Sequence, residues 1–249
     1  MSDWKVQFSA LCEKAIPEQR DVFLNRFALQ IEKSGEDTAK AVVKLALSAA
    51  DMFTEKAKSS DGRRLQYGGV EFGDVYSEFC GDNMTFIERK KVFAPFDLDN
   101  NGYIDLIEFL LYFYREPLLK GYKARNAVDA VESEAEALMQ ELVMPALYID
   151  SKLDANLLGL KQLEEAYVAS VESAKKEAQE GGGVKKVQLG GNLQKLENKF
   201  KEDQKGFMSP DAIAKKKAKV VKQSEEAVAA MKAELEKEDA DARGPSKKK

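Results

Sequence analysis

Oxygen-bearing side chains recur at short, regular intervals in one segment of the chain, residues 97–108. They stand at five positions: Asp97, Asp99, Asn101, Asp105 and Glu108. Calcium is a hard cation that takes about 6–8 oxygen ligands at about 2.3–2.6 Å, and alternate residues of a tight loop can all point inward. These residue types at this spacing predict a calcium-binding loop of twelve residues, whereas the simplest alternative is a solvated acidic turn.

The remaining loop positions agree with that prediction. Gly102, at position six, permits a sharp reversal that a residue with a side chain would resist. Tyr103, at position seven, contributes its backbone carbonyl, and Ile104 at position eight points away from the ion into a short two-stranded contact with a partner loop. Glu108 reaches back from the exit helix with both carboxylate oxygens. The predicted metal ligands are Asp97, Asp99, Asn101, Tyr103, Asp105 and Glu108.

This spacing resembles the loop of the EF-hand superfamily, and it matches at every specified position. The resemblance implies helices on both sides of the loop and a second, paired loop. Apolar residues flank the loop as such helices require, with Val92, Phe93 and Phe96 before it and Phe109, Leu110 and Phe113 after it.

The segment upstream of this loop predicts a degenerate partner at residues 63–74. If Val70 is aligned with Ile104 at position eight, Gly68 falls at position six and Asp74 at position twelve. Residues that offer calcium no side-chain ligand then occupy positions one, three and five: Arg63, Leu65 and Tyr67. The alternative interpretation is an unrelated glycine-rich loop.

Helical spacing dominates the rest of the chain. Before the loops it predicts helices over residues 3–14, from Pro17 to about residue 34, over 37–58 and over 74–80. Thr85 and Glu88 have the spacing of a capping box, which predicts a helix from there to about residue 96. After residue 122 the predicted helices are 127–147, 153–180, 192–205 and 210–239, with breaks at Gly181–Gly183 and Gly190–Gly191.

The predicted fold class is therefore all-α, with three regions along the chain. Residues 1–122 contain the N-terminal helices and an EF-hand pair, one loop functional and one degenerate. Residues 123–240 form a charged helical bundle or antiparallel coil, and residues 241–249 form a disordered basic tail.

Charge is divided unevenly along the second half. Residues 127–183 hold twelve acids and four lysines, a net charge of −8, whereas residues 184–224 hold eleven lysines and four acids, a net charge of +7. The densest lysines are Lys215, Lys216, Lys217, Lys219 and Lys222. Such a face favours docking to an acidic partner such as F-actin or microtubules. The alternative is a solvated helix face, and nucleic acid is not expected, because aromatic residues for base stacking do not accompany the lysines.

The layout as a whole is similar to that of the small calcium-regulated actin-bundling proteins of amoebae and ciliates. Residues 97–115 carry the specific part of this resemblance, and residues 127–249 match in layout and composition only. The resemblance implies calcium-inhibited cross-linking of actin filaments. The alternatives are a calcium sensor, adaptor or buffer that binds a single protein partner, and a microtubule-associated EF-hand protein.

Composition narrows the remaining classes of function. The chain has no histidine, which removes the commonest general base, so an enzyme is not expected. Two cysteines, Cys12 and Cys80, are too few for a disulfide framework and are typical of a cytoplasmic protein. The sequence predicts neither a signal peptide nor a membrane-spanning segment, and it leaves the oligomeric state open.

Overall fold

The computed structural model describes residues 3–59, 62–81, 83–98, 101–126, 133–143, 151–180 and 182–243. Several predicted features lie partly outside these residues: Asp99 of the calcium loop, residues 127–132 and 144–147 of one predicted helix, and residues 244–249 of the predicted tail.

The described residues are predominantly helical, which confirms the all-α class. The helices in chain order are α1 (Asp3–Cys12), α2 (Ile16–Ser34), α3 (Ala39–Lys56), α4 (Val70–Cys80), α5 (Phe86–Phe93), α6 (Leu106–Phe113), α7 (Arg115–Asn126), α8 (Glu134–Val143), α9 (Ser151–Glu180), α10 (Gly182–Gln204) and α11 (Pro210–Arg243). The two strands are β1 (Arg64–Gln66) and β2 (Tyr103–Asp105). Across the described ranges, the structure holds no helix that is both long and apolar enough to traverse a bilayer.

The chain divides into two compact units. The first comprises the described parts of residues 1–149 and 220–249, and the second comprises those of residues 150–219. The predicted boundary at residue 122 does not coincide with this division. Leu138 and Met139 of α8 are fully buried in the core of the first unit, and Val228 and Leu235 of α11 join the same core.

The three predicted N-terminal helices are confirmed, and local signals explain their ends. Pro17 lies in the first turn of α2, where a missing N–H costs nothing. Gly35 ends that helix in the left-handed conformation, with φ of 80°. Thr38 then caps α3, its hydroxyl accepting a hydrogen bond from the Ala41 N–H at 3.2 Å.

The capping box at the start of α5 is also confirmed. The Glu88 side chain accepts from the Thr85 N–H at 2.8 Å, and the Thr85 hydroxyl accepts from the Glu88 N–H at 3.3 Å. On the same helix, Arg89 donates to three backbone carbonyls, those of Tyr67, Met84 and Gly69. The guanidinium thereby ties α5 to the turn that follows β1.

Strands β1 and β2 pair antiparallel and join the two loops. Ile104 lies opposite Leu65, not opposite Val70, so the predicted alignment of the upstream loop is wrong. Val70 instead begins α4 and is 76% exposed. The buried residues Phe72, Val75 and Tyr76 follow helical spacing, so the segment from Val70 forms a helix and not a strand beside Ile104. The strand contact itself is observed; its membership in an EF-hand pair stays a prediction.

An aromatic cluster packs the exit helix α6 against the rest of the first unit. Phe109 is fully buried, and its ring centroid lies 5.6 Å from that of Phe53 and 5.9 Å from that of Phe79. Phe72 meets it edge-on at 6.1 Å. The helix that leaves the predicted calcium loop is therefore held by rings from both α3 and α4.

The second unit contains an antiparallel hairpin of α9 and α10. Tyr167 stacks on Phe200 with ring centroids 4.5 Å apart, and Gly159 lies against the ring of Phe207, so chain order runs oppositely on the two sides. The predicted break at Gly190–Gly191 is wrong, because α10 runs through both glycines. Each costs about 1 kcal/mol relative to alanine in a helix.

Within the first unit, the C-terminal part of α11 contacts α2 and α3. Ser224 donates its hydroxyl to the Asn25 carbonyl of α2 at 2.5 Å, and Lys232 forms an ion pair with Asp21. Lys40 of α3 bonds Glu238 at 2.6 Å. The helix continues to Arg243, so residues 241–243 of the predicted disordered tail are helical instead.

Candidate metal centre

The loop that starts at Asp97 is closed by hydrogen bonds to its own backbone. Asp97 Oδ1 accepts from the Asn101 N–H at 3.0 Å and Oδ2 from the Gly102 N–H at 2.8 Å. Asn101 Oδ1 accepts from the Tyr103 N–H at 2.7 Å. Gly102 has φ of 83° with open space around it, so the conformation, not crowding, requires glycine there.

The other end of the loop brings Asp105 and Glu108 together. Glu108 lies in the first turn of α6, and its Oε2 accepts from the Asp105 N–H at 3.0 Å. Asp97, Asp105 and Glu108 are only 5%, 5% and 4% exposed. Carboxylates this buried are uncommon unless they are paired or bind a cation.

Electrostatics show that the three carboxylates act on one another. Burial raises the pKa of Glu108 well above its usual range, and the charges of Asp105 and Asp97 raise that pKa further. Burial also raises the pKa of Tyr67, with the Asp97 charge as a second cause. The loop therefore concentrates negative charge in a poorly solvated place, where a cation would relieve the repulsion.

Gln19 of α2 braces this end of the loop. It is fully buried, and its Oε1 accepts from the Ile107 N–H at 3.2 Å. Its Nε2 donates to the carbonyls of Cys12 and Lys14 at 2.8 and 2.9 Å, and approaches Asp105 Oδ1 at 3.4 Å. Gln19 was not predicted from the sequence. Its polar side chain stands on the apolar stripe of α2, and a polar group buried there needs hydrogen-bond partners.

Cys12, at the end of α1, is a second residue that the sequence analysis did not connect to the loop. Its thiol lies within 4.8 Å of carboxylate oxygens of both Asp105 and Glu108. Cys12 and Cys80 both carry thiols and are partly buried. Sequence spacing offers no signal for this contact, because 93 residues separate Cys12 from Asp105.

The upstream loop uses its polar residues for other contacts. Arg63 donates to the Glu13 carboxylate at 2.6 Å and to the Glu13 carbonyl at 3.0 Å. Asp74 forms an ion pair with Lys56 at 2.6 Å. The upstream loop contacts the site through its backbone. The Tyr67 N–H donates to the Gly102 carbonyl at 3.3 Å, which supports the turn at Gly102.

The donor set fits a hard divalent cation. The structure draws Asp97, Asp105 and Glu108 together and joins Asn101 and Tyr103 to them through hydrogen bonds of the loop. All the predicted ligands offer oxygen, as calcium prefers. No protein-family model matches the chain, and neither a curated protein nor a solved structure matches it.

Proposed function

We propose that the loop at residues 97–108 binds one calcium ion. The observation that carries the proposal is the convergence of three buried carboxylates, those of Asp97, Asp105 and Glu108, on one tightly turned loop. Their mutual repulsion costs stability in the absence of a cation. A divalent ion would offset the repulsion, and each carboxylate oxygen of Asp97 keeps a lone pair for the ion beside its backbone hydrogen bond.

The six predicted ligands contribute two kinds of oxygen, charged and neutral. Carboxylates of Asp97, Asp99, Asp105 and Glu108 supply charge, while Asn101 and the Tyr103 carbonyl add neutral oxygens. Calorimetric titration of the full chain with calcium tests the proposal. We expect one binding event per chain, and a titration without binding heat or a calcium-dependent shift in Tm would contradict it.

Gln19 is predicted to tune calcium affinity without ligating the ion. Replacing Gln19 with Leu removes the donors and the acceptor that hold the loop exit against α2, so we expect the calcium Kd to rise by about 10–100-fold, the usual cost of losing an outer hydrogen-bond partner. The matched control is Gln223→Leu, which changes an exposed glutamine of α11. Equal calcium Kd values for a folded Gln19→Leu variant and the control would refute this role.

We further propose that calcium regulates binding to an acidic filament, with F-actin as the favoured partner. The specific observation is an exposed basic face: Lys215, Lys219 and Lys222 are all exposed on α11. Residues 184–224 carry a net charge of +7, and a basic surface raises the rate and specificity of association with an acidic partner.

Helix α2 supports a connection between the two proposed activities. It braces the loop through Gln19 and holds the C-terminal part of α11 through Asn25 and Asp21. This part of α11 also carries the exposed Lys222. The contacts of α2 therefore connect the loop with the part of α11 that follows residue 219.

Co-sedimentation with F-actin, with and without calcium, tests this second proposal. We expect more of the chain to pellet without calcium. Replacing Lys215 and Lys219 with Ala should raise the Kd for F-actin by about tenfold, equivalent to about 1.4 kcal/mol. The matched control replaces Lys175 and Lys176, two exposed lysines of α9.

The pelleting results distinguish F-actin binding from microtubule binding and from a role without a filament. Pelleting with microtubules in place of F-actin would identify the other acidic filament. A chain that pellets with neither filament, in either condition, would contradict the filament role and favour a calcium sensor, adaptor or buffer.

A further inference from the structure

The contact between Cys12 and the proposed calcium loop introduces a donor that calcium does not use. The sulfur of Cys12 and carboxylate oxygens of Asp105 and Glu108 all lie within 4.8 Å of one another. The three residues come from separate elements, the end of α1, the end of β2 and the first turn of α6. Calcium takes oxygen ligands, so a loop built only for calcium gives no reason for a thiol at this position.

Hydrogen bonds position the residues that carry the three donors. The Gln19 amide nitrogen donates to the Cys12 carbonyl at 2.8 Å and approaches Asp105 Oδ1 at 3.4 Å, so one side chain positions both residues. Glu108 is fixed separately by its hydrogen bond from the Asp105 N–H at 3.0 Å. Cys12 itself is only partly buried, which leaves an approach from solvent.

Sulfur and carboxylate oxygen together make a ligand set for a different class of metal. Zinc combines cysteine thiolate with carboxylate ligands, and soft thiolates select such ions over calcium. Ligands of tetrahedral zinc stand about 3.5 Å apart. The three donor atoms lie within 4.8 Å of one another. Side-chain adjustments of little more than about 1 Å would therefore bring all three to one ion.

We propose that Cys12, Asp105 and Glu108 form a site for a thiophilic divalent cation, Zn²⁺ or its analogue Cd²⁺, whose binding excludes calcium from the loop. The ion takes three protein ligands and one water, and the thiol proton passes to solvent as the metal–sulfur bond forms. Exclusion follows because two carboxylates are shared. The site shares these residues with the proposed calcium loop, but its own metal binding does not depend on that proposal.

Cadmium titration of the full chain, followed by the ultraviolet charge-transfer absorption of cadmium thiolate, tests the site. We expect one equivalent of Cd²⁺ to produce the band in the wild type and in Cys80→Ser. Cys12→Ser should lose the band. Asp105→Asn should weaken Cd²⁺ binding by about tenfold or more, since loss of even an outer partner of a metal site costs about 10–100-fold. Circular dichroism establishes that each variant is folded.

Cys80 is the matched control because it is the only other cysteine of the chain and, like Cys12, packs at the edge of the hydrophobic core. A band that survives Cys12→Ser, or that is lost equally in Cys80→Ser, would overturn the inference, as would unchanged Cd²⁺ affinity in a folded Asp105→Asn variant.

Calcium competition separates this inference from the proposed function. If calcium binds and excess calcium removes the band, both stand. If calcium binds but leaves the cadmium band unchanged, the shared site is refuted and the calcium proposal remains. If calcium does not bind while the band depends on Cys12 and Asp105, the calcium proposal fails and the thiophilic site remains.

Discussion

Replacing Glu108 with Gln should abolish the calcium response of the chain. Glutamine keeps an oxygen that can accept from the Asp105 N–H, so the turn into α6 is retained. The substitution removes a charge and the bidentate grip that the last loop position gives to calcium. We expect calcium Kd to rise by more than about 100-fold, beyond the cost of losing an outer hydrogen-bond partner.

The same substitution should stabilise the calcium-free chain at neutral pH. Burial holds the pKa of Glu108 well above its usual range, with added repulsion from Asp105 and Asp97. As pH rises through the ordinary glutamate pKa, the unfolded chain releases this proton before the folded chain does, so folding stability falls until the folded-state pKa is passed. Glu108→Gln removes this loss, and its Tm should exceed that of the wild type by about 2–4 °C per kcal/mol recovered.

Thermal unfolding across the acid-to-neutral range, with and without calcium, measures both effects. Relative to Glu108→Gln, the wild type should lose stability as pH rises and should regain it with calcium. The difference between the two proteins isolates Glu108 from carboxyls whose pKa is lowered, such as those of Asp21 and Glu88. The matched control is Glu116→Gln, whose side chain is 85% exposed. A calcium-dependent Tm shift in Glu108→Gln equal to that of the control would refute the assigned role of Glu108.

Replacing Phe109 with Ala should destabilise the first unit by about 3–5 kcal/mol, the usual cost of deleting a buried phenylalanine ring. Phe109 is fully buried and contacts rings from α3 and α4. Its loss leaves a cavity directly behind the loop exit. Tm should fall by about 6–20 °C. Calcium affinity should also fall, because Glu108 directly precedes Phe109 in α6.

Ile87→Ala serves as the control for this packing effect, since Ile87 is 75% exposed on α5. Urea unfolding followed by circular dichroism measures the free energy of unfolding. If the two variants lose the same stability, the aromatic cluster does not hold α6 as described.

Local chemistry made parts of the fold predictable. The capping box at Thr85 and Glu88 depends on residues three apart, and the reversal at Gly102 depends on a side chain five residues before it. Both could be predicted because the interacting groups lie close together in sequence, whereas calcium binding by the loop stays a prediction. The helix α9 was likewise predicted nearly to its ends, since an uninterrupted helical pattern lies between clear breaks.

Long-range contacts were not predictable in the same way. The pairing of Leu65 with Ile104 depends on where α4 begins, and a short apolar stretch fits a strand or a helix equally well. Gln19 and Cys12 reach the loop only after α1 and α2 have folded against α6. The continuous α10 was not predicted, because two adjacent glycines are typical of a helix break and residue propensity is only a weak signal.

Anomalous X-ray scattering from crystals of the full chain grown with calcium tests whether calcium lies within the loop at residues 97–108. The account predicts one peak per chain, about 2.3–2.6 Å from carboxylate oxygens of Asp97, Asp105 and Glu108. An anomalous peak elsewhere, or no peak in the loop in saturating calcium, would contradict it.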